Sequence, residues 1–314
     1  MDQPTLILHH YDFSNFSEKV RLVLGLKGLA WHSVIIPAWA PKPDYTPLTA
    51  GYRRTPALQI GADVYCDTRL IVDVLEGLAP APSLYPGATA TRTRALADAL
   101  VYWAESSLFR PIALYITGLH AARFPDDFHA DRARLHGKPQ PSLAQVEASA
   151  RKYLPQVKPQ LERIEALLDD GFPYVLGEAV SLADFALYGA PWFLVTIGGA
   201  TALPDGLPRM RAWMARISAI GHGAPTALSA DAALASAAAA EPMPLAVDDA
   251  DNPEGLAHGA AVMVEPWDQD SPAFGRLVEV DEARIVIASE SPRCGRVHVH
   301  FPRLGYRLRR ARPD

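Results

Sequence analysis

The stretch from Leu6 to Gly28 constrains the fold of this chain more than any other. It begins with the apolar run Leu6-Ile7-Leu8, passes through a polar turn around Ser14, and continues with apolar residues at helical spacing. A strand that turns directly into a helix directs the unpaired N–H groups and partial positive charge of the helix N-terminus at the turn. A hydroxyl there can stabilise an anion, and a thiolate is one such anion. Ser14 is therefore the first candidate functional residue.

The composition limits the classes of protein to which the chain can belong. Its 314 residues suffice for two or three domains, and a hydrophobic fraction of 49% supports sizeable cores. The net charge of −5 argues against a general affinity for nucleic acid. The two cysteines form neither a CxxC motif nor a disulfide framework, so we expect a reducing, cytoplasmic location. We expect no signal peptide and no membrane span, because neither a basic leader nor a long apolar stretch is present.

Residues 1–80 are predicted to form a small α/β domain. After the first strand and helix, further strand patterns cover residues 31–36, 53–60 and 64–66. Asp67 and Thr68 then begin a helix that ends near Gly77. The order β-α-β followed by β-β-α is that of a small α/β domain with a mixed sheet.

Residues 86–224 are predicted to form an all-α helical bundle. A proline-rich segment at 79–86 separates them from the first domain. Helical patterns cover residues 90–124 and 142–168 and start again at Ser181 and near Leu207, with a polar loop at 125–141. Pro111 is expected to kink the first of these helices.

Beyond residue 224 the composition changes twice. Residues 225–257 are rich in alanine and proline and are predicted to be a linker, in which only 232–240 are compatible with a helix. Residues 258–314 contain five short strand patterns separated by turns, which predicts a small all-β appendix, an SH3-like barrel. A partner of this β segment is not identifiable from its sequence.

Five short motifs occur in order along the first 220 residues. They are Ser14-Asn15-Phe16-Ser17, Lys42-Pro43-Asp44-Tyr45, Thr55-Pro56-Ala57-Leu58, Asp67-Thr68 and, after Gly177, Ser181-Leu182-Ala183-Asp184-Phe185. Together they resemble the glutathione transferase superfamily, in which a thioredoxin-like domain precedes an all-helical domain. The family's first motif often continues with proline, which Asn15 replaces here. The last motif also fits a helix capping box, which is a folding device.

The resemblance implies that Ser14 activates glutathione, bound as a co-substrate. The glutathione thiol has an ordinary pKa of ~8.5, so only a few per cent is thiolate at neutral pH. A hydroxyl donor at a helix N-terminus that lowered this pKa by about two units would supply ~2.7 kcal/mol and make the thiolate dominant. Alternatively, Ser14 is only the N-cap of the first helix.

The other motif residues are implied to bind the rest of glutathione. Lys42 would pair with the glycyl carboxylate, although a solvated loop lysine is an alternative. Thr55, which precedes a proline that is cis in the family, would pair its backbone with the cysteinyl backbone; Pro56 is otherwise a proline at the start of an edge strand. Thr68 would bind the γ-glutamyl carboxylate at a helix start, and Asp67, also a good N-cap, would answer the neighbouring ammonium.

Three residues compete with these assignments. Tyr11 lies near the end of the first strand, where some classes of the family use a tyrosine, but packing at the strand end is the favoured interpretation. Ser17 occupies the position of a resolving cysteine. Because residues 14 and 17 are both serine, thiol–disulfide chemistry through a protein cysteine is not expected. Cys66 is interpreted as a buried strand cysteine.

Other candidates rest on weaker patterns. The electrophile pocket is expected on the first long helix, from residues such as Trp103, Ser107, Arg110 and Tyr115. Aromatic residues on a helix are, however, more often part of a core. Arg53 and Arg54 either favour an acidic co-substrate or solvate a loop. His298 and His300 alternate on one face of a strand, but no third ligand accompanies them, so no metal site is predicted.

The sequence therefore predicts a glutathione transferase-like enzyme that activates the glutathione thiolate for attack on a small electrophile, as in detoxification. Two alternatives stay open. One is a glutathione-dependent isomerase or peroxidase at the same site, and the other is a non-catalytic scaffold whose β segment recruits a partner. Because members of the family are commonly dimers, a homodimer is expected, with no affinity for nucleic acid or a membrane.

Overall fold

The computed structural model describes residues 4–87, 89–245, 252 and 254–311. Within these ranges it confirms the predicted fold class, because a thioredoxin-like α/β domain, an all-α domain and a small all-β appendix follow one another. None of the described helices combines the length and the apolar character that crossing a membrane requires.

The thioredoxin-like domain consists, in its described residues, of a mixed sheet and two helices. These elements are β1 (Ile7–His10), α1 (Asn15–Leu26), β2 (Ala30–Ile35), β3 (Ala57–Ile60), β4 (Asp63–Cys66) and α2 (Thr68–Leu78). β1 lies between the parallel strand β2 and the antiparallel strand β3, which forms a hairpin with β4. Since side chains alternate along a strand, Leu8 joins the core that includes α1 and α2, whereas Ile7 joins a second core.

The helical domain follows the predicted order of helices. Its helices are α3 (Ala90–Trp103), α4 (Phe109–Leu119), α5 (Asp126–Leu135), α6 (Leu143–Leu167), α7 (Leu182–Gly198) and α8 (Pro208–Ile220). α7 is anchored by the capping residue Asp184, which accepts hydrogen bonds from the Ser181 amide at 2.9 Å, the Ser181 hydroxyl at 2.8 Å and the Trp213 indole at 2.9 Å. The capping motif therefore acts as the predicted folding device.

Two features of this domain differ from the sequence prediction. A π-helical turn at Ala104–Leu108 interrupts the first long helix just before Pro111. Proline lacks the amide that would bond the Ser107 carbonyl, and Gln160 Nε2 donates to this carbonyl at 3.4 Å instead. The stretch predicted as a polar loop contains α5, whose acidic first turn and basic last turn match the helix dipole. α5 was not predicted because its residues are mostly polar and charged and show no apolar periodicity.

The rest of the chain returns to the sheet. Its elements are β5 (Ala224–Ala227), α9 (Ala230–Ala238), β6 (Ala261–Pro266), β7 (Ala273–Val280), β8 (Arg284–Ser291), β9 (Gly295–Pro302) and β10 (Tyr306–Arg310). We call β6–β10 the C-terminal β unit. Within the stretch predicted as a linker, β5 pairs with β2, and α9 buries Leu234 in the second core. The remainder of that stretch includes residues 246–251 and 253, which lie outside the described residues, and the domain boundaries stay predictions.

The C-terminal β unit continues the thioredoxin sheet. The strand order is β10-β6-β7-β8-β9-β4-β3-β1-β2-β5, and β9 runs parallel to β4 with Asp63 opposite His298. The second core combines Ile7 and Val64 of the first domain with residues such as Ile285 and Phe301 of the β unit. The predicted β appendix is confirmed, but its union with the first domain was not indicated by any local sequence pattern.

Candidate functional site

The candidate site lies at the end of the first domain's sheet where β1 and β4 finish and β3 begins. Ala57, at the start of β3, pairs with His9 of β1 on one side and with Cys66 of β4 on the other. This end of the sheet therefore brings together three segments, which are the turn before α1, the loop before β3 and the start of α2. These three segments carry most of the residues that the sequence motifs singled out.

Ser14 is the N-cap of α1. Its backbone is extended, and its Oγ accepts a hydrogen bond from the Ser17 amide at 3.1 Å. Within the described part of the chain, the Ser14 hydroxyl proton has no acceptor. The side chain is 2% exposed. Ser14 thus combines the capping role with a free O–H donor at a helix N-terminus, the arrangement that stabilises an anion.

The competing residues lie close by but differ in their contacts. Tyr11 is half-buried, and its Oη accepts a hydrogen bond from Arg132 Nη2 at 3.2 Å. Ser17 is fully buried, and its Oγ has no hydrogen-bond partner among the described residues. Cys66 is fully buried as predicted, and burial raises the pKa of its thiol well above the ordinary range. A neutral buried thiol is a poor nucleophile.

Lys42 is a buried lysine, not a solvated loop lysine. Its side chain is 3% exposed, Nζ donates to Thr55 Oγ1 at 2.7 Å, and the ring centroids of Tyr11 and Tyr45 lie 5.7 Å and 5.3 Å from Nζ. The Thr55–Pro56 peptide bond is cis, as the family motif implies. Lys42 therefore lies beside the loop whose backbone is predicted to bind the cysteinyl residue.

Two arginines make the surroundings of Lys42 strongly positive. Arg53 Nη2 and Arg132 Nη1 share the single carboxylate of Asp131 at 2.7 Å and 2.9 Å. Burial, together with these arginines, lowers the pKa of Lys42 to about 6 against the opposing effect of Asp131. Arg53 Nε and Nη1 are buried without a hydrogen-bond partner among the described residues. This excess of donors and positive charge favours an anionic ligand.

A cavity of about 470 Å³ opens beside these cations. The residues that line it include Lys42, Arg53, Ser271 and Phe274, so it lies between the first domain and the C-terminal β unit. The Arg53 amide donates to Ser271 Oγ at 3.1 Å. The alternative that Arg53 merely solvates a loop is therefore wrong, since it is held by the β unit on one side and by Asp131 on the other.

Asp67 and Thr68 begin α2 as predicted. Asp67 is the N-cap, with φ of 74°, and its Oδ1 accepts from the Arg69 amide at 2.9 Å. Burial alone would raise the pKa of Asp67, but Arg54 and the Arg69 amide hold it below the ordinary range. Thr68 is 5% exposed. The carboxylate is therefore ionised and suited to a ligand cation.

The C-terminal β unit contacts this end of the site as well. Tyr306 of β10 donates from Oη to Asp67 Oδ2 at 3.0 Å, and Asp268 lies 3.3 Å from Arg54 Nη1. The sequence pointed to neither contact, because both partners lie more than two hundred residues away along the chain. Arg54, like Arg53, is thus tied to a carboxylate and does not solvate a loop.

Aromatic residues cover the turn before α1 on the side of the helical domain. Phe13 packs with Tyr11 at 4.9 Å and with Phe124 at 6.3 Å between ring centroids, and Phe124 stacks on Phe128 of α5 at 4.6 Å. Arg132 lies 4.8 Å above the Phe128 ring. No sequence pattern indicated this cluster, because the polar residues of α5 are typical of a loop.

The residues predicted for the electrophile pocket are dispersed. Trp103 lines a different cleft between α3 and α6, Ser107 and Arg110 are exposed, and Tyr115 is half-buried. His298 and His300 have ring centroids 6.5 Å apart, and His300 Nε2 pairs with Asp63 Oδ1 at 2.7 Å. Among the described residues, no group of three or more His, Cys, Asp or Glu is arranged to hold a metal ion.

Known proteins with similar sequences and structures agree with this architecture. Residues 8–83 match the glutathione S-transferase N-terminal domain, and residues 129–216 match the glutathione S-transferase C-terminal domain. A GST-like protein from Pseudomonas syringae is 34% identical, with a TM-score of 0.74 over 98% of this chain and 100% of that chain. The similarity therefore extends through the C-terminal β unit.

More distant structures share the first two domains. A glutathione S-transferase from Rhodospirillum rubrum F11 is 21% identical, with a TM-score of 0.53 over 68% of this chain and 88% of that one. A Tau class glutathione S-transferase from mango, Mangifera indica, is 16% identical, with a TM-score of 0.52 over 69% of this chain and 90% of that one. The chain has no match among curated proteins. Its two matched domains and its full-length similarity to the Pseudomonas protein establish that the chain belongs to the glutathione S-transferase superfamily.

Proposed function

We propose that this protein is a glutathione transferase in which Ser14 and the N-terminus of α1 activate the glutathione thiol for attack on a small electrophile. The observation that carries the proposal is the N-cap geometry of Ser14. Its Oγ is held by the Ser17 amide, while its own proton is free for an anion among the described residues. A thiolate that accepts this proton in a hydrogen bond gains a neutral donor and the helix dipole together.

The charges around Ser14 match those of glutathione, which has two carboxylates and one ammonium group. We assign the glycyl carboxylate to Lys42, whose buried amino group lies among cations in excess. The cysteinyl backbone pairs with Thr55 before the cis Pro56. The γ-glutamyl carboxylate binds at Thr68, at the start of α2, and the ammonium binds Asp67. Each ligand charge thereby finds an opposite charge or a helix N-terminus.

The chemical step needs no protein nucleophile. The bound thiol releases its proton to solvent, and the thiolate forms the new bond to the electrophilic carbon. In a substitution the leaving group departs with the electron pair of the broken bond; in an addition the double bond opens and the resulting carbanion takes up a proton from solvent. Only the thiolate form attacks, so the rate near neutral pH follows the pKa of the bound thiol. Ser14 stabilises the thiolate by a hydrogen bond and undergoes no covalent change.

We place the electrophile against the aromatic cluster of Phe13, Phe124 and Phe128. Phe13 directly precedes Ser14 in the sequence, and Phe124 and Phe128 pack on Phe13. The three rings form an apolar cluster between the first domain and α5. Arg132 over the Phe128 ring adds a positive charge near this surface. A small electrophile with an apolar body and electron-withdrawing substituents fits these surroundings.

The assembly of the protein is proposed from its family, and its location from its cysteines. A homodimer is proposed, to be measured by light scattering during size-exclusion chromatography. A cytoplasmic location is proposed because Cys66 and Cys294 are free thiols that a reducing compartment would preserve.

Replacement of Ser14 by alanine tests the proposed function. In the wild type the bound thiol is expected to have a pKa about two units below the ordinary ~8.5, and in Ser14→Ala this pKa returns towards that value. Thiolate ultraviolet absorbance during a pH titration of the complex measures it. The rate of conjugation should fall by about 25-fold at about pH 7 and by about tenfold at about pH 7.5.

The matched control is Ser229, the N-cap of α9, whose Oγ accepts from the Ala232 amide at 3.2 Å. Ser229→Ala removes an equivalent cap at a helix outside the proposed site, so each variant loses about 1 kcal/mol of capping energy. Only Ser14→Ala should shift the thiol pKa. An unchanged pKa in Ser14→Ala would refute the assignment, and a wild type without affinity for glutathione would favour the scaffold interpretation.

A further inference from the structure

We propose that the C-terminal β unit completes the glutathione site, with Tyr306 as the positioning residue that holds Asp67 towards the ligand ammonium. This inference rests on the proposed function. It assigns a binding role to a part of the chain that lies outside the two matched transferase domains, which cover residues 8–83 and 129–216.

The hydrogen bonds around Tyr306 have a defined direction. An ionised carboxylate can only accept, so Tyr306 Oη donates its one proton to Asp67 Oδ2 at 3.0 Å. The contact of 2.5 Å between the hydroxyls of Tyr52 and Tyr306 must then be donated by Tyr52. Burial raises the pKa of the Tyr306 hydroxyl well above its ordinary range, so this proton is retained. The result is a directed chain from Tyr52 through Tyr306 to Asp67.

The ring of Tyr306 is held as firmly as its hydroxyl. It is 4% exposed and packs against Tyr52 and Phe301, with centroid distances of 6.2 Å and 5.5 Å. On the other side of the carboxylate, Asp67 Oδ1 accepts from the Arg69 amide. Both carboxylate oxygens are therefore fixed, one by α2 and the other by β10. Asp67 also has a positive φ, which is unfavourable for a residue with a Cβ and makes such restraint necessary.

The β unit also adjusts the charge at this end of the site. Arg54 is the positive charge that lowers the pKa of Asp67 most, and a cation so placed competes with a ligand ammonium. Asp268 of the β unit lies 3.3 Å from Arg54 Nη1, while Lys19 pairs with Glu105 of the helical domain. The carboxylates of Asp268 and Glu105 thus balance the two cations Arg54 and Lys19. The negative charge of Asp67 is then left for the ammonium of the γ-glutamyl group.

Tyr306→Phe tests the inference because it removes the hydroxyl and keeps the ring. The affinity for glutathione, measured by calorimetry, is expected to fall about fivefold to tenfold. KM for glutathione should rise by the same factor while kcat and the pKa of the bound thiol stay unchanged, since Tyr306 acts at the opposite end of the ligand from Ser14. The control is Tyr188→Phe, which removes the hydroxyl of an equally buried tyrosine in the helical domain.

A second ligand separates positioning from a general structural effect. An analogue of glutathione that lacks the α-amino group has no ammonium for Asp67, so its affinity should be the same in wild type and Tyr306→Phe. Equal losses for both ligands, or no loss for either, would overturn the inference while leaving the proposed function intact. Failure of the wild type to bind glutathione would overturn both. If Tyr306→Phe does not fold, Tyr52→Phe removes the donor to Tyr306 and should give the same selective loss, about twofold to threefold.

Discussion

Lys42 provides the most quantitative prediction about ligand binding. Its pKa is lowered to about 6 by burial beside Arg53 and Arg132, so at about pH 7.5 only ~3% of the amino groups carry a proton. A carboxylate bound at Nζ favours the charged form and should return the pKa towards the ordinary ~10.4. Binding of the glycyl carboxylate is therefore coupled to uptake of about 0.9 proton per site.

Calorimetry in two buffers with different ionisation enthalpies measures this proton uptake. S-methylglutathione is the appropriate ligand, because it lacks the thiol whose ionisation would release a proton and mask the effect. Lys42→Met should take up about 0.9 proton fewer than the wild type, and Lys152→Met, which alters an exposed lysine, should match the wild type. Equal proton uptake in the wild type and Lys42→Met would refute the reasoning.

The same burial has a consequence for stability whose sign can be worked out. Between about pH 6 and pH 10 the unfolded chain binds a proton at Lys42 that the native state lacks, so this residue destabilises the ligand-free fold, and less so as the pH rises. At about pH 7.5, which is about three pH units below the ordinary lysine pKa of ~10.4 in the unfolded chain, this destabilisation amounts to roughly 4 kcal/mol. Lys42→Met should therefore raise the free energy of unfolding measured with urea by several kcal/mol, and this gain should shrink towards pH 10.

Two further predictions concern acid stability and helix packing. Burial lowers the pKa of His9 to about 4, and burial together with the Arg21 guanidinium lowers that of His10 to about 3, so between about pH 6.5 and 4 the unfolded chain binds a proton at each of them that the native state lacks. These two residues should lower the free energy of unfolding by about 2.7 kcal/mol per pH unit on acidification. His9→Gln should reduce the slope by about 1.4 kcal/mol per pH unit, and an unchanged slope would contradict this account. A Cβ at Gly118 would lie 2.5 Å from Ser149 Oγ, whereas one at Gly77 meets nothing within 4 Å. Thermal unfolding should show Gly118→Ala to be less stable by about 2 kcal/mol and Gly77→Ala to be more stable by up to about 1 kcal/mol, and equal effects would be incompatible with close packing of α4 on α6.

The first domain could be predicted because its signals are local. The apolar run that predicts β1, the N-cap at Ser14 and the Asp67-Thr68 helix start are each determined by a few neighbouring residues. The structure has the expected caps and the cis bond before Pro56. The binding roles assigned to these residues stay predictions until glutathione binding is measured.

The features that the sequence did not reveal depend on distant partners. Arg53 is half-buried because Asp131 of α5 and Ser271 of the β unit contact it, and neither partner is recognisable from the residues around position 53. The pairing of Asp63 with His298 likewise has no local signature, since an edge strand can accept many partners. α5 was not predicted because its residues are mostly polar and charged. Its acidic first turn and basic last turn are nevertheless typical of a helix.

The pairing of β9 with β4 has a consequence for folding during synthesis. Domains generally fold as units while they leave the ribosome, N-terminal domain first. Here one face of the first sheet is covered by strands that are synthesised last, so Ile7 and Val64 gain their neighbours Ile285 and Phe301 only when translation is nearly complete. Until then the growing chain exposes apolar surface and the free edge of β4, both of which attract chaperones and other chains. A premature stop before the C-terminal β unit would therefore remove the first domain's stability along with the last five strands.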